Sequence, residues 1–284
     1  MPMFKIRGMY FSGTGTTETV VKTIAKATAA AGNYIEEENI DFTPKDARDE
    51  VYSFSADQVV IFGVPVIAGR VPNVLLKFLG TLEGNQALAV PVVLYGNRNF
   101  DDALIELRNI LEEQGFHTIA GGAFIGEHSF SRILAAGRPD NKDLDMARDF
   151  GKKIAHKLES IYRENPVDNP IQDLEPVEVE GQTPIRDYYK PQDRNGKHIN
   201  ILKVKPKLDE SKCTKCGLCV KICPMGSIKE DAPGQVQGIC IKCCGCEKKC
   251  PEGALYFDDP GYLYHKEELE YLYSNKRREP ALFI

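Results

Sequence analysis

The chain has 284 residues, enough for two domains of ordinary size. Hydrophobic residues make up 42% and charged residues 27%, a composition typical of globular proteins and not of disordered or fibrous ones. The net charge is −5, from 36 basic and 41 acidic residues, so no nucleic-acid partner is expected. No apolar run approaches the roughly 20 residues of a membrane helix, and no signal peptide pattern is present. We therefore expect a cytoplasmic protein with no membrane span.

Residues 1–164 alternate short β-rich runs with longer helical stretches, which predicts a parallel sheet built from βαβ units. Continuous apolar runs such as Val59–Phe62 indicate strands that are covered on both faces. The predicted strands are Phe4–Phe11, Tyr34–Asp41, Asp57–Val64, Leu88–Tyr95 and His117–Ile125, and the predicted helices are Thr17–Ala31, Pro72–Leu79, Asp101–Glu113 and Asp143–Arg163. This order predicts an α/β fold with a doubly wound, five-stranded parallel sheet.

From Asn165 to about Gln192 the periodic pattern ends, and prolines lie among acidic residues. Such a composition buries little surface, so residues 165–198 are predicted to be a Pro-rich acidic connector, either loose or wrapped around a domain. The cysteine-rich unit, a small α+β domain, is placed at 199–261 and is entered by a strand over residues 199–204. A short C-terminal helix and tail occupy 262–284, and we expect them to pack onto their own chain, with docking of a partner protein as the alternative.

All nine cysteines lie between Cys213 and Cys250, where the motif C-x2-C-x2-C-x3-C-P occurs twice, 27 residues apart. In this pattern three thiolates wrap one 4Fe–4S cluster, and the fourth cysteine binds the cluster of the other half. Two clusters are therefore predicted. The first should use Cys213, Cys216, Cys219 and Cys250, and the second should use Cys240, Cys243, Cys246 and Cys223.

Other roles for these cysteines match the pattern less well. Structural zinc sites usually group their ligands as two C-x2-C pairs, and a disulfide scaffold suits an oxidising compartment. The segment closely resembles two-cluster bacterial ferredoxins over about fifty residues. Cys244 has no counterpart, because Gly217 occupies the matching position. We interpret Cys244 as a buried thiol with no ligand role, and redox sensing is the alternative.

A Gly- and Thr-rich loop follows the first predicted strand and leads into a helix. It comprises Ser12, Gly13, Thr14, Gly15, Thr16 and Thr17. Glycines let the backbone approach an anion, while hydroxyls and amides at a helix N-terminus donate hydrogen bonds to it. The absence of a lysine excludes a P-loop, and a missing third glycine argues against a dinucleotide motif. The loop resembles the phosphate loop of flavodoxins, which implies bound FMN; a plain capped turn is the alternative.

Two further loops should frame the flavin ring if that resemblance holds. The cofactor-binding candidates are Pro65, Val66, Ile67, Ala68 and Gly69 after the third strand, and Gly96, Asn97, Arg98, Phe100 and Asp101 after the fourth. Flavodoxins usually cover the ring with aromatic side chains, so Phe100 is the stacking candidate, with a core position as its alternative. We hypothesise that Arg98 stabilises anionic reduced flavin, and a solvated surface arginine is the alternative.

His128 follows the fifth predicted strand, at the same edge of the sheet as the flavin loops. It is the candidate catalytic residue, as a proton donor to reduced flavin or to a substrate, and the alternative is a loop hydrogen bond.

The whole chain resembles flavodoxin–ferredoxin fusion proteins of anaerobic bacteria and archaea. The resemblance implies electron transfer between FMN and the clusters, with ferredoxin or a similar low-potential redox protein as partner. Joining both units raises their effective concentration for each other. Two alternatives are a flavin-dependent reductase of a small organic substrate, and a ferredoxin whose flavodoxin-like domain binds no flavin and serves for docking.

Overall fold

A computed structural model describes residues 3–164 and 174–284 of the chain. Its first part alternates strands and helices as the sequence predicts. The elements are β1 (Lys5–Tyr10), α1 (Thr16–Gly32), β2 (Ile35–Glu36), β3 (Ile40–Asp41), a short 3-10 helix (Asp46–Arg48), β4 (Gln58–Pro65), α2 (Asn73–Leu79), β5 (Leu88–Tyr95), α3 (Ala103–Glu113), β6 (His117–Thr118), β7 (Gly121–Ile125) and α4 (Asn141–Glu164). Every residue of β5 is buried, which explains its continuous apolar sequence.

These strands form one parallel sheet. Strand β1 pairs with β4 and β4 with β5, while β2 and β3 both extend the edge beside β1, and β6 and β7 both pair with β5. When β2 and β3 are counted as one interrupted strand, and β6 and β7 as another, the strand order is that of a five-stranded doubly wound sheet. The predicted fold class is confirmed.

Helices cover both faces of the sheet. On one face α1 and α4 bury side chains such as Ile24 and Phe150, and on the other α2 and α3 bury Leu75 and Leu107. Burying a side chain of this size contributes roughly 1.5–3 kcal/mol, so the two layers hold the sheet firmly. The carboxyl ends of the strands are thereby fixed, and the loops that follow them start from a rigid base.

Two predicted strands are interrupted because side chains replace backbone partners. The N–H of Gly8 in β1 donates to the side-chain oxygen of Asn39 at 2.8 Å, which separates β2 from β3. The N–H of Thr118 donates to the Glu112 carboxylate at 2.7 Å, where β6 ends. Polar side chains that compete for backbone groups in this way are a common cause of broken ladders.

The connector is wrapped on the α/β unit over residues 174–189, which we call the strap. Its main anchor is Asp102, whose fully buried carboxylate accepts hydrogen bonds from the Arg186 guanidinium and from the N–H groups of Gln182 and Arg186. The Tyr189 N–H donates to the Ala68 carbonyl at 2.8 Å. The strap therefore runs past the loops that follow β4 and β5. Connector residues 165–173 lie outside the described residues.

The predicted strand over residues 199–204 is wrong, since this part of the described chain has no regular element. The Ile199 N–H donates to the Pro191 carbonyl at 2.9 Å and closes a short hairpin. Leu202 is exposed in a turn, whereas Val204 packs against Phe257 and Tyr262 in a separate small core. The apolar residues here therefore serve packing and not strand pairing.

The cysteine-rich part is built from two similar halves. Strand β8 (Lys207–Leu208) pairs antiparallel with β9 (Leu255–Tyr256), and an isolated bridge joins Ile228 to Val236 in the other half. Helices α5 (Leu218–Lys221) and α6 (Gly245–Lys248) occupy matching positions in the sequence repeat. The duplication seen in the sequence is thus also a duplication of local structure.

The C-terminal segment returns to the α/β unit. Helix α7 (Pro260–Tyr273) begins after Asp259, whose carboxylate accepts the Tyr262 N–H at 2.9 Å, and it lies where the sequence predicts a short helix. Strand β10 (Ala281–Phe283) pairs antiparallel with β7 and extends the sheet, which the sequence did not predict. Among the described helices, none is long and apolar enough to cross a membrane.

Candidate cofactor sites

The eight repeated cysteines gather around two cavities. Cys213, Cys216, Cys219 and Cys250 line the first cavity, and Cys223, Cys240, Cys243 and Cys246 line the second. Each cavity thus takes three cysteines from one motif copy and the fourth from the other copy. This is the crossed arrangement that the motif predicts.

Backbone N–H groups approach the sulfurs of the fourth cysteine in each copy. The Ser227 N–H donates to Cys223 Sγ at 3.4 Å, and the Ala254 N–H donates to Cys250 Sγ at 3.3 Å. Such bonds stabilise a thiolate and, in iron–sulfur centres, influence the reduction potential. The same bond at equivalent positions shows that the two cavities share one local design.

Burial makes the second cavity a poor place for uncompensated thiolates. It raises the pKa of Cys243 to about 11 and also raises the pKa values of Cys240 and Cys246. Thiolates here need a bound cation to form, as iron provides. In the described chain no group of three or more His, Cys, Asp or Glu residues could hold a single metal ion, whereas a cubane cluster spreads its ligands around four irons.

Cys244 borders the second cavity, but its sulfur is engaged elsewhere. The buried thiol donates to the Lys242 carbonyl at 3.3 Å, and its sulfur lies 3.4 Å from the Tyr262 hydroxyl. Its backbone has φ +56°, similar to φ +74° at the matching Gly217. Cys244 therefore occupies a turn position that normally favours glycine, and its side chain serves packing.

The Gly- and Thr-rich loop lies between β1 and α1. Ser12 Oγ accepts the N–H groups of Gly15 and Glu18, both at 3.1 Å, which fixes the shape of the loop. The N–H groups of Gly13, Thr14, Thr16 and Thr17 have no hydrogen-bond acceptor within the described chain. Free N–H groups at the start of a 17-residue helix, flanked by threonine hydroxyls, suit a phosphate dianion.

The loop after β4 forms a tight turn. Ile67 and Arg70 exchange two backbone hydrogen bonds, and Ala68 and Gly69 between them both have positive φ. This is the geometry of a type I′ turn. Pro65 is the last residue of β4, and the Val66 N–H donates to the Leu94 carbonyl at 2.7 Å. The turn therefore presents mainly backbone and small apolar side chains to its surroundings.

The loop after β5 departs from the sequence-based predictions. Phe100 is buried in the core against Tyr95, with a ring-centroid distance of 5.6 Å, so it does not offer a face for stacking. Arg98 forms an ion pair with Asp101 and lies over the ring of Tyr189, so its charge is already balanced. The competing interpretation of Phe100 as a core residue is the one that the structure favours.

Asn97 is likewise committed to another role. Its side chain is buried and donates to the carbonyls of Tyr273 and Lys276, at 2.9 and 2.6 Å, and accepts the Arg278 N–H at 3.1 Å. These bonds hold the turn between α7 and β10. The side chain is consequently not available to a flavin, whereas the neighbouring Gly96 backbone lies against the ring of His128.

His128 lies near the flavin loops but is held neutral. Burial, together with the positive charge of Lys248, lowers the pKa of His128 to about 3. Its Nδ1 accepts the Phe130 N–H at 3.1 Å, so Nε2 carries the ring proton. A neutral imidazole is a weak acid near pH 7, and the geometry favours the hydrogen-bonding role over the proposed proton donor.

The strap brings in a residue that the sequence analysis did not connect with this site. Tyr189 donates its N–H to Ala68 of the β4 loop, its ring lies under Arg98 of the β5 loop, and it stacks on His265 of α7. Tyr189 therefore contacts the β4 loop through its backbone and the β5 loop through its aromatic ring. Only the Tyr188-Tyr189 pair within an otherwise polar, Pro-rich segment could have signalled it.

Comparison with known proteins gives one family match. A model of the 4Fe-4S binding domain family matches residues 206–229, which include the first copy of the cysteine motif. No curated protein matches the sequence.

The chain is also similar to solved flavodoxin structures. A flavodoxin from the domain Archaea has 16% identity and a TM-score of 0.40, and the match covers 55% of this chain and 99% of that one. Oxidised flavodoxin 2 from Bacillus cereus has 16% identity and a TM-score of 0.38, and the match covers 54% of this chain and 99% of that one. Two-electron reduced Megasphaera elsdenii flavodoxin has 22% identity and a TM-score of 0.35, and the match covers 52% of this chain and 98% of that one.

The order of the strands and the matched domain together define the class. A doubly wound α/β unit with the strand order of flavodoxin-like folds is followed on the same chain by a segment that matches the 4Fe-4S binding domain family.

Proposed function

We propose that the protein is an iron–sulfur flavoprotein that transfers electrons between two 4Fe–4S clusters and FMN. The observation that carries the proposal is the crossed grouping of the cysteines around two separate cavities. Eight thiolates grouped as two sets of four are the ligand set of two clusters, and one family model accounts for only one copy of the motif. Bound clusters supply one-electron transfer.

The proposed ligands follow the predicted crossed sets. Cys213, Cys216, Cys219 and Cys250 hold one cluster, and Cys223, Cys240, Cys243 and Cys246 hold the other. The cysteine loops also supply the backbone N–H groups that balance thiolate charge. This assignment follows our division of the chain, with clusters in residues 199–261 and the flavin in residues 1–164.

FMN is proposed for the site at the start of α1. The phosphate end of FMN matches the free N–H groups of Gly13, Thr14, Thr16 and Thr17. The flavin ring would lie beside the β4 and β5 loops, where Tyr189 replaces Phe100 as the aromatic contact. Bound FMN supplies both one- and two-electron chemistry, which suits a link between clusters and a two-electron acceptor.

The proposed external partner is a low-potential one-electron carrier such as a ferredoxin. Cys216 is exposed whereas the other seven ligands are partly buried, so the first cavity is the one that a partner can approach most directly. The reductase alternative drew on an open ring face beside Ile67 and on His128 as proton donor, and the lowered pKa of His128 weakens the second of these supports.

The test is an anaerobic purification followed by chemical analysis. We expect about eight irons and eight sulfides per chain together with one FMN. Reduced methyl viologen should then bleach the cluster absorbance and reduce the flavin in the same sample. Colourless protein, or protein loaded with zinc, would contradict the proposal.

A further inference from the structure

The second half of the cysteine repeat is fastened to the α/β unit. Lys248 of α6 is largely buried and forms an ion pair with Glu127 at 2.6 Å. Its ammonium group also donates to the carbonyls of His128 and Ser131, at 2.7 and 2.8 Å. Arg48 donates to the carbonyl of Pro224, which lines the same cavity and follows the ligand Cys223. All four of these contacts tie the α/β unit to residues that adjoin the second cavity, and none involves the first cavity.

The turn from Cys243 to Cys246 also touches the phosphate loop. A Cβ placed on Gly13 would lie 2.9 Å from Cys243 Cβ, and a Cβ placed on Gly245 would lie 2.5 Å from the Gly13 carbonyl oxygen. Contacts this close leave no room for a side chain at either glycine. The backbone of the phosphate loop and the backbone of the cysteine turn are thus in direct contact.

The corresponding turn and helix of the first half lack the contacts that Gly245 and Lys248 make. Gly245 corresponds to Leu218, and Lys248 corresponds to Lys221, whose exposed side chain makes no hydrogen bond or ion pair among the described residues. A leucine at position 245 would collide with Gly13. The sequence difference between the two copies therefore follows from the docking of only one of them.

We propose that the turn Cys243–Cys246 forms one wall of the phosphate loop site, so that the second cluster and FMN bind with coupled affinities. The proposal rests on the proposed function for the presence of both groups. A cluster held by Cys223, Cys240, Cys243 and Cys246 fixes this turn in shape, and the fixed turn supports the loop at Gly13. Since coupling is reciprocal, bound FMN stabilises the second cluster by the same factor.

The inference is tested by FMN binding to the full chain with its clusters loaded. FMN is removed, then titrated back anaerobically while the quenching of its fluorescence is measured. Exchanging the residues of the two copies gives matched variants, Gly245→Leu and Leu218→Gly. We expect Gly245→Leu to weaken FMN binding about tenfold or more, and Leu218→Gly to leave the dissociation constant within about twofold.

A second pair of variants covers the case in which Gly245→Leu fails to fold. Cys246→Ala removes a ligand of the second cluster, and Cys219→Ala removes the matching ligand of the first. Only the former should weaken FMN binding, again about tenfold. In the wild type, removal of FMN should change the electron paramagnetic resonance signal of one cluster and leave the other unaltered.

The outcomes separate the two proposals. A wild-type chain that binds neither FMN nor eight irons overturns the proposed function. A chain that binds both, with FMN affinity equal in all four variants, overturns only the coupling. Weakened binding confined to Gly245→Leu and Cys246→Ala supports it.

Discussion

Asn97 illustrates how a single side chain in a flavin loop acquires a structural function. The residue adopts φ +63°, a conformation that asparagine tolerates better than most residues. From this position its amide reaches two carbonyls and one N–H of the segment that joins α7 to β10. The position after β5 is thereby tied to the C-terminal tail, about 180 residues away in sequence.

Replacing Asn97 by glycine tests this role without adding backbone strain, because glycine accepts positive φ freely. The variant loses three partly buried hydrogen bonds, each with a net contribution of about 1 kcal/mol. We expect Asn97→Gly to lower the free energy of unfolding by about 2–3 kcal/mol, measured by urea denaturation.

The matched control is Asn99→Gly, because Asn99 is exposed on the same loop and accepts only the Asp101 N–H at 3.2 Å. Asn99→Gly should lower the free energy of unfolding by only about 0.5 kcal/mol. Equal losses in the two variants would show that Asn97 does not hold the tail.

At the scale of elements, the sequence predicts those parts of the fold whose signal is local. Strands β4 and β5 are continuous apolar runs because both their faces are covered, and α1 lies within one residue of its predicted bounds at either end. Strand β10 has only three residues and pairs with a strand far away in sequence, so no periodicity marks it. The breaks after β2 and β6 depend on side-chain acceptors that no pattern reveals.

The candidate site divides in the same way. The repeated cysteines lie in one short segment with fixed spacing, so their grouping around the two cavities follows from the motif. Phe100 and Arg98 were assigned to the flavin site from their position in a loop. In the structure the Phe100 ring packs in the core against Tyr95, and the Arg98 guanidinium lies over Tyr189 of the strap. Sequence position fixes which loop a residue occupies and does not fix the direction of its side chain.

The strap is an element whose attachment depends on pH. Hydrogen bonds and charge from Arg186 lower the pKa of Asp102 to about 2, against 3.8 for a free aspartate. Because the folded value is the lower one, the carboxylate stabilises the fold above pH 3.8 and loses this contribution as the pH falls towards 2. We expect Asp102→Asn to cost about 1–2 kcal/mol at pH 6. The difference from wild type should shrink between pH 4 and pH 2, as followed by denaturation at each pH.

Asp187→Asn is the control for general charge effects, because Asp187 is exposed on the strap next to Arg186. Its stability should follow that of the wild type at every pH. A constant difference between Asp102→Asn and wild type over the whole range would mean that the ion pair does not anchor the strap.

At the scale of the whole molecule, two similar halves of the cysteine repeat have unequal surroundings. The second half contacts the phosphate loop and the loop after β7, while the first half presents Cys216 to solvent and reaches the α/β unit through Pro224, whose carbonyl accepts from Arg48. The C-terminal segment closes the arrangement, because α7 packs beside the cysteine turns and β10 joins the sheet. A chain built in this way holds one cavity next to the phosphate loop and the other at the surface, which is the arrangement that the proposed electron path needs.

The crossed ligand sets give the sharpest test of this arrangement. Because Cys223 lines the second cavity, Cys223→Ala should lose the same cluster as Cys246→Ala, although Cys223 belongs to the first motif copy. Cys250→Ala should match Cys219→Ala for the same reason. Electron paramagnetic resonance spectra of the four reduced variants should therefore fall into two pairs, each with about half of the wild-type iron.

Cys244→Ala serves as the control and should keep both clusters, since the Cys244 sulfur is hydrogen-bonded to Lys242 and Tyr262. Spectra that instead paired Cys223→Ala with Cys219→Ala would show that each motif copy holds its own cluster, and the two cavities would then need a different assignment.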